Sequence, residues 1–101
     1  MNSKPQYINH PESFKGIPDY MIGGLRRYIE NGIPPGSFLT AVLSNDLMGA
    51  FAKADSTNTV AMVAYARFLY AYAPHDCHGS PAKVRAWMDK GGLGLLGVYE
   101  G

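Results

Sequence analysis

The stretch from Thr59 to Ala73 constrains the fold of this chain more than any other part of its sequence. Arg67 is its only charged residue, and most of the other side chains are aliphatic or aromatic. A helix that is apolar on all sides is normally buried on all sides. Three or four short helices can hardly enclose it. The sequence therefore predicts either a central position in a small bundle or a face that contacts another subunit.

The low content of charged residues favours contact with another subunit or protein. Only 17% of the 101 residues are Asp, Glu, Lys or Arg, against roughly 25% in ordinary soluble domains. We expect a homo-oligomer, by default a dimer, while a compact monomer rich in Gly and Tyr is the alternative. The net charge of +1 lacks the basic footprint of nucleic-acid binders, so we expect no DNA-specific binding.

The same composition bears on the compartment of the protein. A single Cys excludes an internal disulfide bond, and the polar start of the chain does not have the pattern of a signal peptide. No apolar run reaches the roughly 18–20 residues that a membrane span requires. We therefore expect a cytosolic protein without membrane contact.

Start and stop signals divide the chain into an irregular arm over residues 1–17, a helical domain over 18–92 and a Gly-rich tail over 93–101. Pro18 suits the first turn of a helix, and Ile22, Leu25 and Ile29 then fall on one helical face. Gly32 supplies the stop signal for this first helix.

Three further helices follow by the same reasoning. Ser37 is the expected N-cap of a second helix that runs to about Ala54, and the third helix is the Thr59–Ala73 stretch. Ser80-Pro81 is a typical helix start, and the fourth helix stops at Gly91-Gly92. The predicted fold class is all-α, a compact bundle of about four short helices.

His75, Cys77 and His78 are candidate metal ligands or a candidate thiol site. A tetrahedral zinc site needs four ligands, commonly as two spaced pairs, and here all the soft ligands lie within four residues. A thiol nucleophile needs an oriented base and an oxyanion donor, for which the sequence gives no sign. We interpret this stretch as a polar loop and expect no metal, no cofactor and no catalytic residue.

The turn before the second helix is a candidate anion site. Gly36 and Ser37 lie where free backbone N–H groups and the helix dipole attract phosphate. Arg26, Arg27 and Tyr28 precede this turn by only about ten residues and could approach it. A Gly-Ser pair before a helix is more often only a cap, and neither common phosphate-loop motif is present.

Asp46 and Arg67 each interrupt an apolar stripe, the first in the second helix and the second in the third helix. Charges in buried stripes are usually paired. We expect these two residues to form an ion pair with help from Asn45 or a Tyr hydroxyl. The alternative is that they line a ligand pocket between the helices.

The third helix carries an aromatic cluster that could serve an interface. Aromatic residues are frequent at protein interfaces, where Tyr combines a large apolar body with a polar tip. Stacking on nucleotide bases is the alternative. The candidate interface residues are Tyr65, Phe68, Tyr70 and Tyr72.

Several runs of residues together resemble small uncharacterised helical proteins of bacteriophages, over about Ile17 to Gly92. The resemblance rests on Ile17-Pro18, Leu25 to Pro34, Gly36-Ser37-Phe38-Leu39, Val42-Leu43, Asn45-Asp46-Leu47, Gly79-Ser80-Pro81, Val84 and Trp87. It implies no enzymatic activity. It implies instead a setting in the host cytoplasm, where small phage accessory proteins often act against host defence.

From this setting we expect an anti-defence inhibitor, comparable to anti-CRISPR proteins, that binds a host defence protein stoichiometrically. A sponge for a nucleotide or cyclic-nucleotide immune signal is the first alternative, with Arg26, Arg27, Gly36, Ser37, Asn45 and Arg67 as ligand-binding residues. A structural or regulatory phage accessory protein is the second alternative.

Overall fold

The computed structural model describes residues 11–94, and within this range it contains helices and turns but no strand. The six α-helices are α1 (Asp19–Asn31), α2 (Ser37–Leu43), α3 (Leu47–Lys53), α4 (Ser56–Val60), α5 (Met62–Ala71) and α6 (Pro81–Asp89). Short 3₁₀ turns cover Pro11–Phe14 and His75–Cys77. The all-α prediction is confirmed. Among the described residues, no helix is long and apolar enough to cross a membrane.

The first helix and the last helix follow their sequence signals. Gly32 ends α1 in the left-handed conformation with a φ of 72°, and its N–H donates to the carbonyl of Tyr28. Such a cap satisfies carbonyls that the helix itself leaves unpaired. The Ser80 side chain accepts a hydrogen bond from the Lys83 N–H, and Pro81 is the first residue of α6.

The predicted second helix is instead two helices, so the expected span from Ser37 to Ala54 is wrong. Asn45 has a φ of +64°, a conformation that Asn tolerates better than most residues and that no helix can continue through. Asp46 then caps α3, because its carboxylate accepts a hydrogen bond from the Gly49 N–H at 3.0 Å. The prediction that Ser37 caps α2 is also wrong, since Gly36 occupies that position.

The apolar stretch is likewise divided, and it is not buried on all sides. Asp55 caps α4 by accepting from the Asn58 N–H at 2.7 Å, so the helical segment begins earlier than Thr59. Ala61, a single turn residue, joins α4 to α5. One face of the stretch lies in the core through Ala64, Tyr65 and Phe68, and the opposite face lies in solvent. The predicted central position in the bundle is therefore wrong, and contact of the other face with a second subunit stays a prediction.

Where α1 meets α6, the core is closed by buried side chains whose polar atoms are hydrogen-bonded. The Tyr28 hydroxyl donates to the Cys77 carbonyl at 2.6 Å, and the Trp87 indole N–H donates to the carbonyls of Tyr28 and Ile29 at 3.1 and 3.2 Å. The backbone after α6 lies directly on the end of α1, where the Leu93 N–H donates to the Ile29 carbonyl at 3.1 Å. The side built by α3 to α5 instead exposes apolar side chains, among them Met48, Val63 and Tyr70. We call it the open side, and the side where α1 meets α6 the closed side.

The expected arm and tail lie partly outside the described residues. The rest of the predicted arm and tail, residues 1–10 and 95–101, lies outside the described residues. The described end of the arm packs on the bundle, since Phe14 stacks on Phe68 with ring centroids 5.1 Å apart and Ile17 is buried.

Candidate binding surface

A groove with a volume of about 420 Å³ lies between α3 and α5. Volumes of this size are usual for binding clefts in proteins. Its walls are apolar, and its polar groups gather where the turn before α3 approaches His78. The lining residues are Val42, Asn45, Asp46, Leu47, Ala50, Met62, Tyr65, Ala66, Leu69, Tyr70, His78 and Gly79.

The polar side of the groove carries one formal charge at neutral pH. Burial lowers the pKa of His78, and electrostatic interaction with the neighbouring His75 and Lys83 lowers it further. A lowered pKa keeps the imidazole neutral at pH 7. Asp46 is the one Asp, Glu, Lys or Arg that lines the groove. A groove of this kind suits an apolar group that is accompanied by a positive charge.

A row of exposed residues, which we call the ridge, runs beside the groove along α4 and α5. It consists of Val60, Val63, Arg67 and Tyr70, which are spaced at i, i+3, i+7 and i+10. Val60 is 84% exposed, Val63 74% and Tyr70 93%. Arg67 donates one hydrogen bond to the Lys15 carbonyl at 2.6 Å. Residues at this spacing share one face of a helix, so the ridge is an apolar row with a single cation, and Val60, Val63 and Arg67 also line a second cavity.

The other wall of the groove also presents apolar side chains to solvent. Leu47 is 61% exposed, Met48 78% and Phe51 45%. We call these three residues of α3 the α3 patch. Leu47 also lines the groove, whereas Met48 and Phe51 do not. Contiguous exposed apolar residues, as opposed to single ones, are typical of a binding surface.

The expected ion pair between Asp46 and Arg67 does not form. The Asp46 carboxylate caps α3, and the Arg67 guanidinium bonds to the Lys15 backbone carbonyl. The reason is local: the turn before α3 leaves N–H groups that a carboxylate can satisfy. Asn45 and Asp46 do line the groove, as the alternative interpretation expected, but Arg67 does not.

The residues of the expected anion site do not come together. Arg26 pairs with Glu30 at 2.8 Å within α1, and the hydroxyl of Tyr28 is used inside the core. Gly36 has open space around its Cα hydrogens. Since α2 has only seven residues, its dipole is also small. The arrangement offers no cradle for phosphate.

The remaining predicted region, His75 to His78, is a 3₁₀ turn with its cysteine in the core. Burial raises the pKa of the Cys77 thiol to about 12, so a nucleophilic thiolate is not available there. No group of three or more His, Cys, Asp or Glu side chains within the described range is placed to hold a metal ion.

Of the four aromatic residues expected at an interface, the structure places only Tyr70 fully on the surface. Tyr65 and Phe68 are buried, and Tyr72 is half-buried. The Tyr65 hydroxyl donates to the Asn58 side chain at 2.6 Å, while burial raises its pKa. The sequence reasoning missed Val60 and Val63. The spacing of Val60, Val63 and Tyr70 at i, i+3 and i+10 is the sequence pattern that could have identified this exposed row.

Comparison of the chain with protein-family models, with curated proteins and with solved structures finds no match.

Proposed function

We propose that this chain is a non-enzymatic protein that binds a target protein stoichiometrically through the α3 patch. One observation supports this proposal above the others: a seven-residue helix holds Leu47, Met48 and Phe51 in solvent. Exposing such side chains lowers solubility and contributes nothing to folding. Their burial against a partner therefore has a large driving force, since the hydrophobic effect scales with the apolar area removed from water.

The composition of α3 suits protein recognition. Lys53 is its only charged residue, and the centres of protein interfaces are poor in charge and rich in aromatic residues and Met. The flexible thioether of Met48 can adjust to an irregular partner surface. The Asp46 cap fixes the start of the helix, so the patch is presented on a defined backbone.

The biological setting of the proposal comes from the resemblance to bacteriophage proteins. In that setting the target is a protein of a bacterial defence system, and the chain acts in the host cytoplasm as an inhibitor that occludes its target. Within residues 11–94 the one thiol, Cys77, is buried with a raised pKa, which disfavours a thiol nucleophile.

The alternative of a sponge for a nucleotide signal has one observation in its favour. Lys15 and Arg67 line a second cavity, of about 830 Å³, which Val60 and Val63 of the ridge also line. Two cations are a minimal basis for holding phosphate. The groove itself disfavours an anion because Asp46 is its charged residue. A thermal-shift screen with cyclic dinucleotides tests the alternative, which predicts a rise in melting temperature that Lys15→Gln reduces.

The experiment for the main proposal joins a phage assay to a binding assay. Cells with an active CRISPR system or another defence system express the chain and are challenged with a phage that the system restricts. We expect the wild type to restore plaque formation under one of these systems. The purified target of that system should then bind in a defined stoichiometry by calorimetry.

Two variants make this experiment specific to the α3 patch. Met48→Ser with Phe51→Ser should weaken target binding at least about tenfold, because residues at the centre of an interface carry most of its affinity. Ile33→Ser is the matched control, since Ile33 is an exposed apolar residue outside the patch. Retained binding by the double variant, or equal loss in the control, would contradict the assignment of the patch.

A further inference from the structure

We propose that the ridge of one protomer packs into the groove of a second copy, forming a two-fold dimer in which Arg67 of each copy meets Asp46 of the other. This inference does not depend on the proposed target. Met48 and Phe51 do not line the groove, so a dimer of this kind buries Leu47 but leaves these two residues of each α3 patch free.

The arrangement of the surface favours a second copy as the occupant. A two-fold interface brings the same patch of both subunits together, so that patch must contain both the projecting and the receiving part. The ridge and the groove meet this condition, because Tyr70 belongs to the ridge and also lines the groove. A ridge on one face and a groove on the opposite face would instead build an open chain of subunits.

The chemistry of the two parts is complementary. The ridge presents Val60, Val63 and Tyr70, which the monomer leaves almost fully in solvent. The groove offers apolar walls from Leu47, Ala50 and Met62. Ridges of side chains that pack into grooves are the usual way in which helices associate. Burial of the ridge would remove Val60, Val63 and Tyr70 from water.

The charges are complementary as well. Asp46 is the charged residue of the groove and Arg67 is the charged residue of the ridge. Each of these two side chains makes one hydrogen bond within the protomer. One Asp46 oxygen accepts from the Gly49 N–H, and one Arg67 nitrogen donates to the Lys15 carbonyl. A guanidinium has five N–H donors and a carboxylate several acceptor positions. Both groups can therefore join a second protomer without giving up these bonds.

The two kinds of contact have different roles. An ion pair at the rim of an interface adds little affinity, but it selects the partner and fixes the register. The apolar ridge therefore supplies the affinity of the dimer, and the Asp46–Arg67 pair, present twice by symmetry, sets how the copies align.

Sedimentation velocity of the full chain over a concentration series tests the inference. The wild type should move from the 11.0 kDa monomer to a species of twice that mass. Arg67→Asp and Asp46→Lys should each weaken the dimer at least about tenfold, because each creates two like-charge pairs across the two-fold axis. An equimolar mixture of the two variants should form a heterodimer, in which opposite charges face each other again.

Matched controls separate this effect from unfolding and from net charge. Arg85→Asp and Asp89→Lys make the same changes on exposed positions of α6 and should leave the dimer unaltered. Asp46→Lys also removes the cap of α3, so circular dichroism must show each variant folded. Asp46→Asn keeps a capping acceptor and should weaken the dimer less than the lysine variant.

Three results would overturn the inference. The first is a wild type that stays monomeric at every concentration, which would leave the groove for a different partner. The second is a dimer that tolerates both charge reversals. The third is a pair of folded single variants that do not associate on mixing. None of these results bears on target binding by the α3 patch, which is measured separately.

Discussion

Two sides of the molecule differ in how far they bury large side chains: the side where α1 meets α6, and the side built by α3 to α5. On the first side, Tyr28 and Trp87 are buried and their polar atoms bond to backbone carbonyls. On the second side, Val63 and Tyr70 stand in solvent although they belong to the most apolar stretch of the sequence. One side closes its core, and the other leaves apolar surface uncovered.

This difference separates the part of the sequence that stabilises the monomer from the part that we propose for binding. The closed side can supply stability because each buried polar atom of Tyr28 and Trp87 has a partner, and unpaired ones would be costly. The open side gains nothing from its exposed apolar residues in the monomer. Their presence is explained if the stable state of the protein includes a partner.

The largest expected effect comes from the closed side. Trp87→Ala should lower the free energy of unfolding by about 3–5 kcal/mol, because it removes a buried aromatic side chain and leaves a cavity. Trp87→Phe keeps most of the bulk and should cost less. Urea denaturation followed by circular dichroism measures both.

Lys90→Ala is the control for this substitution. The Lys90 ammonium lies 4.2 Å from the centre of the Trp87 ring, and an exposed contact of this kind contributes about 0.5–1 kcal/mol. If Trp87→Ala cost no more than Lys90→Ala, the closed side would not be the source of stability.

The contact between the ends of α1 and α6 gives the next largest effect. Gly92 has a φ of +65°, and a Cβ there would lie 2.6 Å from the Gly32 nitrogen and 2.7 Å from the Ile29 oxygen. Gly92→Ala should therefore destabilise the fold by about 1–3 kcal/mol for the forced overpacking, in addition to the roughly 1–2 kcal/mol of a left-handed alanine.

Gly91→Ala separates these two costs. Gly91 has a φ of +82° but no atom within 4 Å of a built Cβ, so its substitution should show the conformational cost alone. Thermal unfolding of both variants under one set of conditions makes the comparison. Equal losses would mean that the close approach of the two backbones does not matter.

The sequence predicted the closed side well because its signals are local. Pro18, Gly32 and Ser80-Pro81 mark helix ends by backbone conformation and capping, which depend on the residue itself. The open side was predicted less well. The pair Asn45-Asp46 is compatible with a continuous helix or with a helix break, and tertiary contacts decide between the two.

The candidate site was harder to predict than the fold because it depends on which face each helix turns outward. The apolar stretch offers apolar residues on every face, so its composition does not say that Val63 is exposed and Phe68 buried. Asp46 and Arg67 looked like partners because both interrupt apolar stripes, yet each bonds to a backbone group instead. The Asp46 bond is local, whereas Arg67 reaches the carbonyl of a residue 52 positions away, a contact that helical periodicity does not predict.

A smaller effect concerns a bond that links the start of α1 to α4. The Tyr20 hydroxyl donates to the Asp55 carboxylate at 2.5 Å. This bond, followed by the one from the Asn58 backbone, lowers the pKa of Asp55. Tyr20→Phe removes the larger cause and should raise that pKa toward its ordinary value, as carbon NMR of the carboxyl group can measure.

The sign of the pH dependence follows from the lowered pKa. A carboxylate whose pKa is lower in the folded state stabilises the fold above its unfolded pKa, and this contribution is lost as the pH falls through the folded pKa. In Tyr20→Phe the loss should begin at a higher pH than in the wild type. An Asp55 pKa that does not move in this variant would show that the hydroxyl contact is not maintained in solution.

The smallest expected change in stability belongs to the ridge, and it is the most direct test of the contrast between the two sides. Val63→Ser and Tyr70→Ser should each alter the free energy of unfolding of the monomer by no more than about 0.5 kcal/mol, as is usual for exposed positions. Phe68→Ser, on the buried face of the same helix, should be severely destabilising. The measurement must be made at concentrations where the monomer dominates, because association would stabilise the wild type by mass action. If the ridge variants prove costly even there, the apolar row supports the fold itself, and the open side would be a second core instead of a binding surface.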